Sequence, residues 1–312
     1  MEIRKASVSD MFGWLIGSFK LVGKHWGTFL LAALVSLAVI FLLAFAAGLV
    51  IGLSAAGAAM GDVESIDWQK IALLYAAIML VALILVPPFI AGWFVLTGKL
   101  ANGQAASVGD LFAGYGDGAH WKKLIAFGFI GAALNIVVQG GYILICMALG
   151  VGSDDIGQFM TAQLSNDPEA MAGLSAGFWM AYCGIILIGS VLQTAFMLGF
   201  CQAALTDSDA LDSVKTGIAA TLKNLVSLLL FMLVMLLVLL AAVLVIGLVA
   251  GLLIAALSML NSDIALALGA VIYLLLLLFI YPLMFSFQYL FWRDVLGGGT
   301  KAPAISDSEV LI

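Results

Sequence analysis

Charged and strongly polar residues fall in a few short clusters, and the stretches between them are apolar. From Asn224 to Ser262 the chain runs 39 residues with no charged side chain, rich in Leu, Val, Ala and Met. A helix rises about 1.5 Å per residue, so about 20 apolar residues cross the hydrocarbon core of a bilayer. This run therefore reads as a membrane span with residues to spare. Five more uncharged runs match it, at 25–61, 71–98, 124–153, 170–206 and 264–292. The pattern predicts an all-α integral membrane protein with six transmembrane helices.

The polar clusters have a pattern of their own. Ser7-Val8-Ser9-Asp10, Ser107-Val108-Gly109-Asp110 and Asp209-Ala210-Leu211-Asp212 each place an acid three positions after a capping residue, which is how helices start. The starts lie 100 and 102 residues apart. Each is followed by a short segment, an apolar run, a polar loop, a second run and a turn. The unit ends also correspond, at 98–103, 203–208 and 292–297, and His25-Trp26 is echoed by His120-Trp121. The chain thus reads as one transmembrane domain over 1–300, in three parallel repeats at about 7–103, 104–207 and 208–300. Each repeat pairs a cytoplasmic interfacial amphipathic helix with two spans, and residues 301–312 form a disordered cytoplasmic tail.

The first short segment is the clearest of the three. Met11, Trp14, Leu15, Phe19 and Val22 recur at helical spacing, with Asp10, Gly13, Gly17, Lys20 and Lys24 on another side. Such a stripe either lies in the headgroup layer or packs on the bundle. Trp14, Phe19, Lys20, Trp121, Lys122, Trp292 and Arg293 are the candidate interfacial anchors, because amphipathic rings and basic side chains favour the membrane–water boundary.

Composition agrees with the pattern. The chain is 64% hydrophobic and 10% charged, with a mean hydropathy of +1.21, whereas soluble domains carry about 25% charged residues. A soluble catalytic domain has no room. The charge distribution says more than the net charge of −6. Of the twelve Lys and Arg residues, all but Lys70 fall on one side of the expected spans, and Asp62, Glu64, Asp67, Asp154, Asp155, Asp167, Glu169 and Asp263 fall on the other. The positive-inside rule then places both termini in the cytoplasm.

Little in the spans carries chemistry. None holds an Asp, Glu, Lys or Arg in its interior, the groups through which coupled transporters usually work. Asn135 and Gln139, four residues apart, share a face of the third span, and Gln193 lies at similar depth in the fourth. They either line a path for a small solute or lipid headgroup or hydrogen-bond between helices, at about 0.6 kcal/mol each. Pro87, Pro88 and Pro282 remove backbone donors and should kink the second and sixth spans. Gly140 and Gly141, with Gly131, suit close helix approach. Cys146, Cys183 and Cys201 have no paired spacing, two histidines do not make a metal site, and no nucleotide-binding or hydrolase motif is present. No cofactor and no nucleic-acid partner is expected.

The segments 87–92, 100–103, 107–115 and 292–297 resemble bacterial integral membrane families of uncharacterised function. These are broadly similar to the membrane domain attached to some glycerophosphodiester phosphodiesterases. The resemblance implies a multi-span helical domain of the bacterial inner membrane and carries no catalytic residue across, because the phosphodiesterase barrel has no counterpart here. The sequence thus points to a non-enzymatic inner-membrane protein: a scaffold, a partner subunit or a lipid-organising module, associated with membrane lipids and with a membrane-protein partner or further copies of itself. The alternative is a transporter or channel for a small neutral solute or lipid.

Overall fold

The structure, a computed structural model, describes residues 3–59, 68–116, 118–151, 155, 158–159, 173–258 and 262–297. Most of the acidic loop at 152–170 and the 301–312 tail therefore lie outside the described residues. Among those described, every regular element is a helix: α1 (Val8–Lys24), α2 (Trp26–Ala59), α3 (Trp68–Ala101), a 3₁₀ segment (Val108–Tyr115), α4 (Gly118–Ala148), α5 (Ala176–Leu205), α6 (Ala210–Lys223), α7 (Leu225–Ser258) and α8 (Ser262–Leu296). Five helices are long and apolar enough to cross a bilayer, and α6 with α7, bent by 73° where they join, make a sixth when counted as one span. The protein is a multi-pass membrane protein.

All three expected helix starts carry an acid-to-backbone bond. The Ser7 amide donates to Asp10 Oδ2 at 2.8 Å and the Asp10 amide to Ser7 Oγ at 3.1 Å. The Ser107 amide donates to Asp110 Oδ2 at 2.8 Å, and the Asp212 amide to Asp209 Oδ1 at 2.7 Å. Each bond satisfies an amide that a helix start otherwise leaves without a partner. The second element is a 3₁₀ helix that stops at Tyr115, ahead of Gly116.

The helices α3, α5 and α8 pack against one another at the centre. Each short element packs on the central helix that precedes it: the 3₁₀ segment on α3, α6 on α5 and, closing the circle, α1 on α8. Glycines set how close these elements come. A Cβ on Gly92 would lie 1.9 Å from the Leu111 carbonyl oxygen, one on Gly114 2.2 Å from that of Pro88, and one on Gly217 2.2 Å from that of Ala195. Backbone meets backbone there, and no larger residue fits. Gly140 and Gly141, expected to be such contacts, have nothing within 4 Å. Two of the positions that matter, Gly114 and Gly217, belong to the short elements instead of the spans.

Burial is concentrated at the end of the bundle that carries the lysines. Phe29, Ala32, Ala33 and Ser36 are buried in α2, the 89–100 stretch of α3 and the 194–204 stretch of α5 hold most of their helices' buried residues, and Leu228 and Phe231 are buried in α7. Toward the other end Phe41, Phe45, Leu73, Leu144, Met180, Leu244 and Tyr273 are exposed, while Leu174 and Phe178 are buried. In a bilayer, lipid takes the place of protein contacts along that half.

Candidate functional site

The centre of the basic end is filled by aromatic side chains. Trp93 stacks on Phe285 at 4.9 Å between ring centroids and meets Tyr281 edge-on at 5.3 Å. Phe94 packs against Phe285 at 5.3 Å and Phe200 against Phe127 at 5.0 Å. The Trp93 indole donates to Ser36 Oγ at 2.9 Å, and that hydroxyl donates to the Ala32 carbonyl at 2.8 Å. The Trp292 indole donates to Gln202 Oε1 at 2.9 Å, and Gln202 Nε2 donates onward to Thr206 and Ser208. Such rings with satisfied N–H groups make a rigid, water-excluding plug.

Cavities open beside this plug, between helices, and the proline-bearing helices line two of them. The first, about 400 Å³, is lined by Pro87 and Ile90 of α3, Gly128 and Asn135 of α4, and Gln193 and Phe196 of α5. The second, about 430 Å³, lies among Phe19 and Gly23 of α1, Trp26 and Phe29 of α2, and Leu275 and Pro282 of α8. The two grooves occupy corresponding places, each between a proline-bearing central helix and the long helix that follows the next short element. Both α3 and α8 continue as helices through their prolines, and the Tyr115 hydroxyl donates to the Leu85 carbonyl close to Pro87 and Pro88. The carbonyls that lose their donors to these prolines are those of Leu83 and Ile84, four residues back, so the Tyr115 bond braces the turn before the prolines and does not replace the missing donors. Burial pushes the Tyr115 hydroxyl above its ordinary value, so it stays a donor.

The three candidate polar residues are partly brought together. Asn135 and Gln193 line the first groove. Gln139 lies one turn further along α4, donating to Asn135 Oδ1 at 3.1 Å, with its amide nitrogen 3.5 Å from where a Cβ on Gly189 of α5 would be. The bond between Asn135 and Gln139 lies within one helix.

The candidate anchors separate into two kinds. Trp14 is not at a lipid surface: it is buried, stacks on Phe291 at 4.7 Å and donates its indole N–H to Asp294 Oδ2 at 2.7 Å. Trp292 is likewise buried, for the indole partner given above. Met11, Ser18, Leu21 and Val22 are buried with Trp14 on the face of α1 that packs on α8, so most of that apolar stripe meets protein. The apolar residues that α1 and the start of α2 leave outside are Ile16, Phe19 and Trp26, and Lys20 and Lys24 are exposed beside them. Lys122 is exposed, while Trp121 and Arg293 are half-buried, Arg293 Nε lying 3.3 Å from Asp294 Oδ1. Burial, with the neighbouring Lys24 ammonium, holds the His25 imidazole below its ordinary value.

Sequence reasoning gave no role to Asn224, which is buried at the α6–α7 joint. Its Oδ1 accepts from the Ala6 amide at 2.6 Å, and its Nδ2 donates to the Arg4 and Ala220 carbonyls at 3.2 and 2.9 Å. The Arg4 amide donates to the Val295 carbonyl at 3.0 Å, and Lys223 Nζ donates to the Ile3 carbonyl at 2.5 Å. The peptide at 3–6 is thereby tied to both ends of the third sequence unit. An uncharged polar residue directly after Lys223, at the threshold of the longest apolar run, was the available signal.

Comparison with protein-family models, with curated proteins and with solved structures finds no match.

Proposed function

We propose that this protein is a non-enzymatic membrane module that organises lipid, or a partner within lipid, at the inner leaflet of a bacterial cytoplasmic membrane. In this reading both termini are cytoplasmic, and three parallel repeats, each a short interfacial element with two spans, form a pseudo-cyclic ring. The segments that resemble uncharacterised bacterial membrane families lie at the joints of that ring. The observation that carries the proposal is the division of the molecule: the basic end is closed by an aromatic plug, and the two proline-lined grooves open beside it. A closed axis suits a platform better than a conduit. Exposed Ile16, Phe19 and Trp26 beside Lys20 and Lys24 suit contact with headgroups and the first part of the acyl chains.

Asn135 and Gln193 at the first groove favour the second reading, transport of a small neutral solute or lipid along a lateral path. A mass-spectrometric inventory of what accompanies the chain out of its native membrane separates the two. The platform reading expects a stoichiometric protein or an enriched lipid class, retained equally by the Asn135→Ala/Gln193→Ala variant. A small polar solute, or a lipid lost from that variant, would instead establish transport. Chain recovered alone, with no selective lipid, would sink the platform.

A further inference from the structure

We infer that this protein pairs with a second copy of itself through α4, about a two-fold axis that brings the intramembrane amides of Asn135 and Gln193 against their counterparts. The pairing goes beyond the lipid-organising reading and stands without it. Ala132, Asn135, Ile136, Gln139 and Gly140 of α4 follow the i, i+3, i+4, i+7, i+8 rhythm of one helical face, and Gln193 of α5 lies beside them at the first groove. This face is open. Ile136 is 72% exposed, and a Cβ on Gly140 would meet nothing within 4 Å. The most apolar stretch of α4 has no buried residue, against 17–39% in the other four unbroken spans.

The amides on this face need a partner that the chain itself does not supply. Gln139 Nε2 donates to Asn135 Oδ1 at 3.1 Å, but among the described residues nothing bonds Asn135 Nδ2, Gln139 Oε1 or the Gln193 side chain. Asn135 lies twelve residues past Lys123, and Gln193 twelve before Leu205 at the end of α5, which is about 18 Å of helix. Half the hydrocarbon core is about 15 Å, so both side chains stand near the middle of the bilayer. Neither water nor a lipid headgroup satisfies them there, and an unpaired amide in hydrocarbon is costly. A second copy meets the need by symmetry. It inserts the same way up, so its amides arrive at the same depth. An amide is donor and acceptor at once, so the patch complements itself across a two-fold axis. The small side of the same face, Ala132 and Gly140, lets the two α4 backbones come close.

The test uses the full chain, fluorescently labelled at its C-terminus and reconstituted in liposomes over a range of protein-to-lipid ratios, with copies counted by single-molecule photobleaching. The expected result is a dimer at high density that dissociates on dilution. Asn135→Leu/Gln193→Leu should weaken the dimer about tenfold, the size expected of polar side chains that bond between helices. Ile136→Trp adds bulk at an exposed position and leaves the amides in place; it should weaken the dimer at least as much while keeping the helical circular dichroism of the parent. That second variant decides the matter if the first fails to fold. Leu236→Ala, at an exposed position on α7, should leave the equilibrium unchanged. A benzophenone amino acid in place of Ile136 should cross-link on irradiation to α4 or α5 of the second copy. A monomer at every density, a dimer unmoved by the α4 variants, or cross-links to lipid or a bound solute alone overturns the proposal.

Discussion

At the scale of single residues, backbone proximity decides which substitutions this protein tolerates. A Cβ on Gly217 would stand 2.2 Å from the Ala195 carbonyl oxygen and 2.6 Å from the Gly199 nitrogen, so α6 and α5 touch main chain to main chain. Gly217→Val should cost about 1–3 kcal/mol or more, the range for overpacked interiors, and lower the thermal midpoint of the detergent-solubilised chain. Gly140→Ala, with open space around it, should leave the midpoint unchanged or raise it. Equal losses in both variants would mean that the α5–α6 contact is looser than described. Nothing in the local sequence marks Gly217, after Lys215 and Thr216, as more constrained than Gly140, after Gln139; only the approach of a second helix tells them apart.

At the scale of elements, the short segments are held by carboxylates. In Asp10 the hydrogen bond from the Ser7 amide, helped by Arg4, holds the carboxyl below its ordinary value of 3.8 against the opposing effect of burial. In Asp110 burial raises the carboxyl, and the bonds from Lys99 and the Ser107 amide outweigh it, so the net direction is again downward from 3.8. The Lys99 ammonium lies 2.6 Å from Asp110 Oδ1 and ties the 3₁₀ segment to α3. A depressed native value stabilises the fold above the unfolded value and is lost as pH falls through the native one. Thermal midpoints should therefore be level above about pH 4 and fall more steeply in wild type than in Asp10→Asn/Asp110→Asn on further acidification. Parallel pH profiles for the two proteins would show that these carboxylates do not stabilise the fold. The acids were legible in advance, because a cap followed by an acid has a local cause; the face that each element buries was not. The stripe of Met11 and Trp14 left headgroup layer and bundle both open, because a helix facing protein and a helix facing lipid are equally apolar.

At the scale of the whole molecule, the circle closes through the contact of α1 with α8. The Arg4 amide bonds the Val295 carbonyl at 3.0 Å, so the two ends of the described chain lie side by side at the basic end. A circular permutant that joins residue 297 to residue 3 through a short Gly/Ser linker and opens between Thr206 and Asp209 keeps an even number of spans on each side of the cut. It should insert with unchanged orientation and melt within a few degrees of the parent, as surface cuts usually allow. Failure of this permutant and of one opened instead at the 102–106 turn would place the closing contacts of the ring elsewhere, whereas failure of the first alone would fault only the cut at 206–209.

The amino-acid sequence by itself determined the solvent of this protein and the elements it uses. Uncharged runs longer than a bilayer is thick cannot fold stably in water, and within lipid only a helix satisfies its own backbone. It also determined where helices start, because a cap and its acid lie three residues apart on the same segment. Tertiary structure alone decided which rings form the plug, which glycines are indispensable, that Trp14 and Trp292 face inward, and that Asn224 clasps the peptide at 3–6. Each of these depends on residues from distant parts of the chain meeting, as with Ala6 and Asn224, 218 positions apart. In a membrane protein the hydrophobic pattern is a weak guide to such meetings, because lipid and protein interior are equally apolar and only close packing and hydrogen bonding distinguish them.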